Sequence, residues 1–555
     1  MSNHVGQKKA PTESVAESFY SFFQYLLNAV LWVYMFLMVV VLPFYFTQGY
    51  VYIGTDKAEF FAQWSVRLGR IVVPVLVIYC GLGAAVYFQK KGFAELKGMN
   101  IWRLRTIFRE HFSVTDVFAV LFGCSLLISY GCSDYKEQAV WGAAGWYMGL
   151  FSQLVMLFIY FLVSRVWIRS KRFFLLLFSA SAVVFVLGYL NCFGIYPMEI
   201  EARNISFIST IGNINWYCGY LVTVFFAGIA LFWQGAGSKW WQRGILVLYA
   251  FVGFASLVTQ GSASGIFTLA VMLVVLFCLS GSDGKRMQGF WQTALILSAA
   301  CLLTYLIKSL FSEQVSHQDI YSNFLTRSSL TFIMTAVSFI CLIITFLLNK
   351  KGNYPAKVGS YISRICGWAV SVLFVAFVGL IILNTLYPGK ISALSGKAIF
   401  TFSQRWGSSR GATWMAGIKC FWEQDSLHKL FGVGPDCMSG FLYQNGSETL
   451  VEMVKENFGN ATLTNAHNEW LTVLVNTGIF GAVSYIGMMI SAIVRYIRAG
   501  KKNLIVGACG FCLLAYTVNN MFSFQQTMNL TTMFIIWGVG EAYLRNDKTS
   551  SAPIN

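Results

Sequence analysis

The sequence predicts an all-α polytopic membrane protein with about 14 transmembrane helices and one long extracytoplasmic loop that contains short helices. Of the 555 residues, 57% are hydrophobic and only 11% are charged. Several apolar runs approach or exceed the roughly 20 residues that a helix needs to cross a bilayer. The whole chain contains 8 prolines. These observations favour one large helical membrane domain over a series of soluble domains.

The predicted spans follow the apolar runs in chain order. Residues 1–18 are polar and carry charges of both signs, and no small-residue cleavage site follows the next apolar run. We therefore expect an uncleaved first span. The spans are predicted at 19–46, 71–88, 114–130, 143–164, 173–190, 214–233, 245–258, 265–280, 291–307, 330–348, 365–385, 468–494, 504–519 and 529–544.

Lysine and arginine set the predicted orientation. With the N-terminus inside, most of the 40 Lys and Arg fall in cytoplasmic loops and tails, as the positive-inside rule requires. Both termini are therefore predicted to be cytoplasmic. The resulting domains are a tail (1–18), spans 1 to 11 (19–385), an extracytoplasmic catalytic loop (386–467), spans 12 to 14 (468–544) and a second tail (545–555).

One pair of spans decides this parity. Residues 245–258 and 265–280 are separated only by the turn TQGSAS at 259–264. If the two runs formed one long helix, the basic loops that follow would face outward. The charge distribution disfavours that interpretation, so we expect two helices joined by a tight turn.

Composition also bounds the chemistry. The formal net charge is +17, but the basic residues lie in loops and no nucleic-acid motif is present, so we expect no nucleic-acid partner. Most of the 13 cysteines lie within apolar runs, and the pair Cys509 and Cys512 is expected to pack inside a helix. Glu199 and Glu201 have no partner at metal-ligand spacing, so no metal or cofactor is predicted.

The polar interval that begins near Phe402 and ends at Glu469 is the longest on the predicted outer face. Polar intervals of this length in a membrane protein are typical places for chemistry with polar substrates. Within it, large apolar residues recur at the spacing of one helix face, at Trp414, Ile418, Phe421 and Trp422. This spacing predicts a short helix in the membrane interface, with Arg410 one turn before Trp414 on the same side.

Two arginines precede that helix. The guanidinium groups of Arg405 and Arg410 could clamp a pyrophosphate through bidentate hydrogen bonds. The alternative is that either side chain is a solvated or membrane-anchoring arginine. Spacing alone leaves both interpretations open.

His467 stands directly before a long apolar helix, with Asn468 as the expected N-cap. The positive end of a helix dipole disfavours imidazolium, which suits a neutral general base. A solvated histidine ahead of a cap is the competing interpretation, and the residues by themselves do not separate the two. His428 lacks a comparable support and is expected to be solvated.

Five short motifs occur in a fixed order. They are IGNINW at 211–216, SSRGATW at 408–414, FGVGPD at 431–436, AHNEWL at 466–471 and NTGIFG at 476–481. In this order, and at these topological positions, the chain resembles the O-antigen ligase and O-antigen polymerase superfamily of bacterial membrane glycosyltransferases. The resemblance covers residues from about 114 to 540.

The resemblance implies transfer of a glycan from undecaprenyl pyrophosphate to an acceptor hydroxyl outside the cytoplasmic membrane, without metal and with inversion. It implies His467 as the base and Arg410 as the pyrophosphate ligand. The turn at 259–264 carries no charge where family members often have one, so Arg405 or Arg203 would supply the second cation. Further substrate-binding residues are expected at the motif positions Asn213, Asn215, Trp414, Asp436 and Asn468.

The implied partners are a polyprenyl-pyrophosphate-linked glycan, a glycan or lipid acceptor, the bilayer and other polysaccharide-assembly proteins. The product could be a polymer or a conjugate, and these motifs do not separate polymerase from ligase. The alternative from another class is a lipid-linked oligosaccharide flippase or another polytopic transporter. A transporter would be expected to carry charged residues in the middle of several spans and to have short outer loops.

Overall fold

The computed structural model describes residues 14–91, 111–198, 200, 207–237, 239–315, 319–394 and 396–550. Arg203 and the pair Glu199 and Glu201 lie outside these ranges. The helices are α1 (Val15–Phe36), α2 (Ile53–Lys91), α3 (Val114–Cys132), α4 (Lys136–Trp141), α5 (Leu150–Arg165), α6 (Arg172–Asn191), α7 (Ile214–Trp233), α8 (Trp240–Thr259), α9 (Ala263–Ser280), α10 (Gly284–Leu310), α11 (Ile320–Leu325), α12 (Ser328–Lys350), α13 (Ala356–Leu386), α14 (Trp406–Glu423), α15 (Ser426–Phe431), α16 (Met438–Gln444), α17 (Glu448–Phe458), α18 (Glu469–Ala499), α19 (Leu504–Asn519) and α20 (Thr527–Ser550).

The predicted helical membrane architecture is confirmed. Each of the 14 predicted runs overlaps one helix, and within the described ranges 11 helices are long and apolar enough to cross a membrane. The helices α5 and α19 are apolar but only 16 residues long. The count of 14 spans therefore stays a prediction. Besides the helices, the described chain contains a two-stranded antiparallel hairpin, β1 (Phe207–Ile208) paired with β2 (Gly212–Asn213).

Burial divides the helices into a core and a periphery. The central helix is α7, because 94% of its most apolar stretch is buried inside the protein. It packs against α8, α19 and α20. In α13, by contrast, 0% of the most apolar stretch is buried, and large side chains such as Trp368 and Val375 are exposed. An exposed apolar helix surface of this kind suits contact with lipid hydrocarbon.

The tight turn at 259–264 separates two helices, as predicted. In α8, Arg243 lies over the ring of Phe232 and Gly253 contacts the ring of Phe225, so α8 runs antiparallel to α7. In α9, Ser264 lies 3.6 Å from Cys218 and Ser280 accepts a 2.8 Å hydrogen bond from Trp233, so α9 runs parallel to α7. The helical hairpin places the turn at the end of the bundle where α7 begins.

Charged side chains gather at the other end of the bundle. The buried Asp116, at the start of α3, pairs with Arg165 at 3.2 Å and with Arg545 at 2.5 Å. Arg495 in α18 pairs with the buried Glu541 at 3.0 Å. Because a helix rises 1.5 Å per residue, Arg495 lies roughly 40 Å along α18 from its first residue. Among the described residues, Arg165, Arg495 and Arg545 thus share one end of the structure, and which side of the membrane this end faces stays a prediction.

Helix α18 is interrupted at Gly478, whose φ of 66° lies in the left-handed region. The interruption frees the carbonyl groups of Val475 and Asn476 from the helix. They accept hydrogen bonds from the backbone amides of Val433 and Gly434, at 3.3 and 3.0 Å. The motifs at 431–436 and 476–481 therefore form one structural joint, which attaches the segment between α13 and α18 to the bundle.

Candidate functional site

A cavity of about 320 Å³ opens at the end of the bundle where α7 and α18 begin. Its wall includes Arg410 and His467, together with Asn215, Ser262 and Asp319. We call it the arginine cavity. The structure thus brings the first and last parts of the long polar interval into one cavity, next to the turn between α8 and α9.

Arg410 enters this cavity from an unusual helix start. Gly407, Ser408 and Ser409 have φ values of 60°, 59° and 67°, so three left-handed residues precede the regular part of α14. Left-handed serines are uncommon and store conformational energy, which is typical of functional segments. The regular helix then begins at Arg410, where Gly411 leaves room for the backbone carbonyl of Ser403.

The Arg410 side chain is partly buried, and its contacts leave its charge unneutralised. Its Nε donates to the carbonyl oxygen of Phe522 at 3.1 Å, and its Nη1 donates to that of Gly407 at 3.3 Å. Within the described chain no carboxylate lies at ion-pair distance from it, although Asp319 lines the same cavity. Burial lowers the pKa of Arg410, yet an arginine stays charged. A partly buried cation without a carboxylate partner favours an anionic ligand.

His467 is held in a constrained backbone position beside this cation. Its φ is 48°, and its backbone amide donates to the Asn465 side chain at 3.0 Å. Its ring stands edge-on to Phe524, with the centroids 4.9 Å apart. Burial, and next the charge of Arg410, lower the pKa of His467 to about 4. The imidazole is therefore neutral at pH 7 and has a free ring lone pair for a proton.

The segment between α19 and α20 contacts both of these residues, and the sequence analysis did not single it out. Phe522 accepts from Arg410 through its carbonyl group, and Phe524 packs against the ring of His467. The segment is anchored by Glu469, which is fully buried at the first position of α18. In the sequence, Glu469 is marked only by being a carboxylate at the start of an apolar run.

Glu469 accepts hydrogen bonds from four side chains. Tyr516 donates at 2.7 Å and Gln525 at 3.3 Å, and Tyr485 and Asn520 also donate to it. Four donors on two oxygens match the acceptor capacity of a carboxylate. Because Asn520 and Gln525 flank Phe522 and Phe524, this one carboxylate fixes the contacts of both Arg410 and His467.

Trp414 lies on the same side of α14 as Arg410, as its spacing predicts. Its ring stacks on Phe522 with a centroid distance of 5.7 Å, and it also packs against Trp406. Further along α14, Ile418 and Trp422 are exposed. Trp414 thus supports the Arg410 region, while the exposed apolar residues continue towards the other end of the helix.

The predicted asparagines have defined positions. Asn468 is the N-cap of α18, as predicted, and its side chain accepts from the backbone amide of Leu471 at 3.1 Å. Asn213 is the N-cap of α7 and accepts from the amide of Asn215 at 2.9 Å. Asn215 accepts from Ser262 at 3.1 Å across the arginine cavity. Of the three, only Asn215 lines the arginine cavity, whereas the Asn468 side chain caps the start of α18.

Two other predicted substrate ligands lie elsewhere. Arg405 is exposed and does not line the arginine cavity. Asp436 is buried, and its carboxyl group accepts from the amides of Ala143 and Met148 at 2.8 and 3.1 Å. Burial raises the pKa of Asp436 to about 7. This side chain joins two loops, and its predicted role in substrate binding has no support in its position.

The uncharged turn at 259–264 forms part of the cavity wall through Gly261, Ser262 and Ala263. It supplies hydroxyl and backbone groups in place of a charge. Tyr321 also lines the cavity, from the first turn of α11, and was not anticipated. Its signal in the sequence is weak, because it lies in a short polar interval that resembles any other loop.

The fold and these cavity residues define a polytopic helical membrane protein with a cationic polar site at one end of its bundle. Residues 319–486 match the family model described as O-Antigen ligase. The match supports the resemblance to the O-antigen ligase and polymerase superfamily that the motifs indicated. It supports a membrane glycosyltransferase of the O-antigen ligase or polymerase type. None of the curated proteins shows significant similarity to the chain.

Proposed function

We propose that this protein transfers a glycan from undecaprenyl pyrophosphate to an acceptor hydroxyl, as a polymerase or ligase of surface polysaccharide. The observation that carries the proposal is the partly buried Arg410, which has no carboxylate partner in the described chain and shares a cavity with the neutral His467. A diphosphate would neutralise the guanidinium through charge-assisted hydrogen bonds. The family match over 319–486 supports the same class of reaction.

In the proposed step, the acceptor oxygen forms a bond to C1 of the donor sugar while the bond from C1 to the diphosphate oxygen breaks. The acceptor proton passes to the free ring nitrogen of His467. The diphosphate departs with its negative charge, which Arg410 stabilises. The products are a lengthened or conjugated glycan and a polyprenyl diphosphate. A single displacement inverts the configuration at C1, and the step uses no metal ion.

The two residues also interact before the reaction. The nearby positive charge of Arg410 contributes to the low pKa of His467, about 4, in the empty site. An anionic donor beside Arg410 offsets that charge, so donor binding raises the pKa of His467. A base whose pKa approaches the working pH accepts a proton more readily, and a positioned base is typically worth about 10²–10⁴-fold in rate. The donor therefore activates the base that its own transfer requires.

The site is proposed to face the outside of the bacterial cytoplasmic membrane, with both termini inside. The support is the gathering of basic residues, including Arg165 and Arg545, at the end of the bundle away from His467. The acceptor and the sugars are to be identified by product analysis, with other polysaccharide-assembly proteins as candidate partners.

The test uses purified protein in detergent with a polyprenyl-pyrophosphate-linked glycan and candidate acceptors. We expect product from the wild-type protein, none from His467→Ala, and weakened donor binding for Arg410→Gln. Lys419→Gln, which removes an exposed cation from the same helix, is the matched control and is expected to keep full activity. A flippase would give no product, since detergent removes the two compartments. Near-normal product from His467→Ala would overturn the assignment of the base.

A further inference from the structure

A second cavity, of about 490 Å³, shares His467 and Asn215 with the arginine cavity. Its wall comes from the segment before α2, the first turn of α2, the loop before α5, the start of α7 and the segment after α19. Four aromatic side chains line it, namely Tyr50, Trp146, Trp216 and Phe524, and we call it the aromatic cavity. None of these four residues belongs to the predicted catalytic groups.

The rings form a continuous series that starts at His467. The edge-on contact of His467 with Phe524 is followed by Phe524 against Trp146 at 4.5 Å and by Trp146 against Trp216 at 5.4 Å, all between ring centroids. Successive rings are close to perpendicular, at 88°, 77° and 70°. Such edge-to-face contacts hold aromatic side chains in fixed orientations.

The backbone also fixes the indole of Trp216. Two glycines enclose it: a Cβ at Gly54 would lie 2.8 Å from one ring carbon, and a Cβ at Gly212 would lie 3.0 Å from another. Gly212 has a φ of 123°, which side chains rarely adopt. The glycine of the motif at 211–216 therefore allows the backbone to approach the Trp216 ring closely.

The two cavities differ in charge. Among the described residues that line the aromatic cavity there is no carboxylate, lysine or arginine, whereas Arg410 lines the other cavity. The polar side chains in the aromatic cavity are neutral: the amides of Asn213 and Asn215, the hydroxyls of Tyr50 and Thr55, and the imidazole of His467. In the described part of the chain, the buried indole nitrogen of Trp216 has no hydrogen-bond acceptor. A diphosphate would lose its hydration here without gaining a cation.

A neutral sugar ring matches this lining. The apolar faces of pyranose rings can lie on the aromatic side chains, while the sugar hydroxyl groups bond to the amide and hydroxyl groups of the lining. We infer that the aromatic cavity binds the terminal sugar of the acceptor glycan and presents its attacking hydroxyl to His467. The inference rests on the proposed function, because it identifies one substrate of the same reaction.

The shared wall gives the arrangement a chemical reason. In a direct displacement the attacking oxygen and the leaving diphosphate lie on opposite sides of C1, so the two substrates need separate pockets that meet at the reacting atoms. His467 borders both cavities and can therefore contact the acceptor hydroxyl while Arg410 holds the diphosphate.

Binding without transfer tests the inference. The full-length protein in nanodiscs is titrated with the glycan released from its polyprenyl diphosphate, a polymerase-type acceptor, and separately with the core glycan extracted from the same cells, a ligase-type acceptor. We expect one of the two to bind, and Trp216→Ala to weaken its binding at least about tenfold. Trp216→Phe, which keeps an aromatic face, should restore most of it. Trp141→Ala, an exposed tryptophan outside the cavity, should bind as wild type does.

Inorganic pyrophosphate separates this result from a folding defect. It should bind equally to wild type and Trp216→Ala, should fail to displace the glycan, and should be lost in Arg410→Gln. The inference is overturned if neither glycan binds the wild-type protein, if Trp216→Ala binds glycan normally, or if pyrophosphate displaces the glycan. In each of these cases, product formation by the wild-type protein in detergent would leave the proposed transferase function standing.

Discussion

Replacing Glu469 with glutamine tests how the site is positioned. This carboxylate does not line the arginine or the aromatic cavity, but through Asn520 and Gln525 it holds the segment that carries Phe522 and Phe524. Glu469→Gln keeps the volume and removes two of the acceptor sites. We therefore expect a loss of stability together with a disturbed environment for Arg410 and His467.

The expected size follows from the hydrogen bonds. One Glu469 oxygen accepts from Tyr485 and Gln525, and the other accepts from Tyr516 and Asn520. In Glu469→Gln one oxygen becomes an NH₂ group. The tyrosine hydroxyl bonded there can turn and accept from this group, whereas the amide NH₂ of Asn520 or Gln525 is left without an acceptor. A buried donor without an acceptor costs about 1–3 kcal/mol, and we expect the variant to lose that much unfolding free energy.

The assay combines thermal unfolding in detergent with the pH dependence of transfer. We expect a lower apparent Tm for Glu469→Gln and a lower kcat. The acid limb of kcat/KM, which reports the enzyme without substrate, should move from about pH 4 towards higher pH, because His467 loses part of its burial against Phe524. Glu452→Gln, an exposed glutamate in α17, is the control. An unchanged Tm and an unchanged acid limb would refute the positioning role.

Three further predictions concern the neighbouring groups. Because the pKa of His467 is about 4, kcat/KM should stay constant above about pH 5. As the pH is lowered from 6.5 to 4, the free energy of unfolding should fall, because His467 takes up its proton in the unfolded chain before it does so in the folded protein. Arg410→Gln should raise the donor KM more than Arg405→Gln does, because Arg405 is exposed and outside the cavity; equal effects would restore Arg405 as a ligand. Gly478→Ala should lower the apparent Tm, since its φ is 66° and its Cβ would meet the Leu430 carbonyl, whereas Gly69→Ala, with open space around it, should not.

Much of the fold was predictable because the information is local. Hydropathy over some 20 residues marks a helix that can cross a bilayer, and the break between α8 and α9 was visible in the turn at 259–264. The boundary of α2 was predicted less well. It begins at Ile53, well before the apolar run at 71–88, because a helix continues past its lipid-facing part when polar residues such as Asp56 can be bonded there.

The candidate site was predictable only in part. His467 stands out because the chain has only 5 histidines, and both His467 and Arg410 lie in motifs that resemble a known family. Glu469 gave a weaker signal, since its importance lies in four donors from other positions in the chain. Asp436 matched a family motif, yet its bonds to Ala143 and Met148 are made inside the protein.

By itself, the sequence determined that the protein is a bundle of apolar membrane helices, and it predicted His467 and Arg410 as the residues for the chemistry. Only the tertiary structure decided that Arg410 and His467 share a cavity, that an uncharged turn forms its wall, and that a second, aromatic cavity meets it at His467. The physical reason is that the insertion of a helix into a membrane depends on the composition of that one segment. A site, in contrast, depends on contacts such as those of Trp216 with Gly54 and Trp146, which lie far apart in the chain.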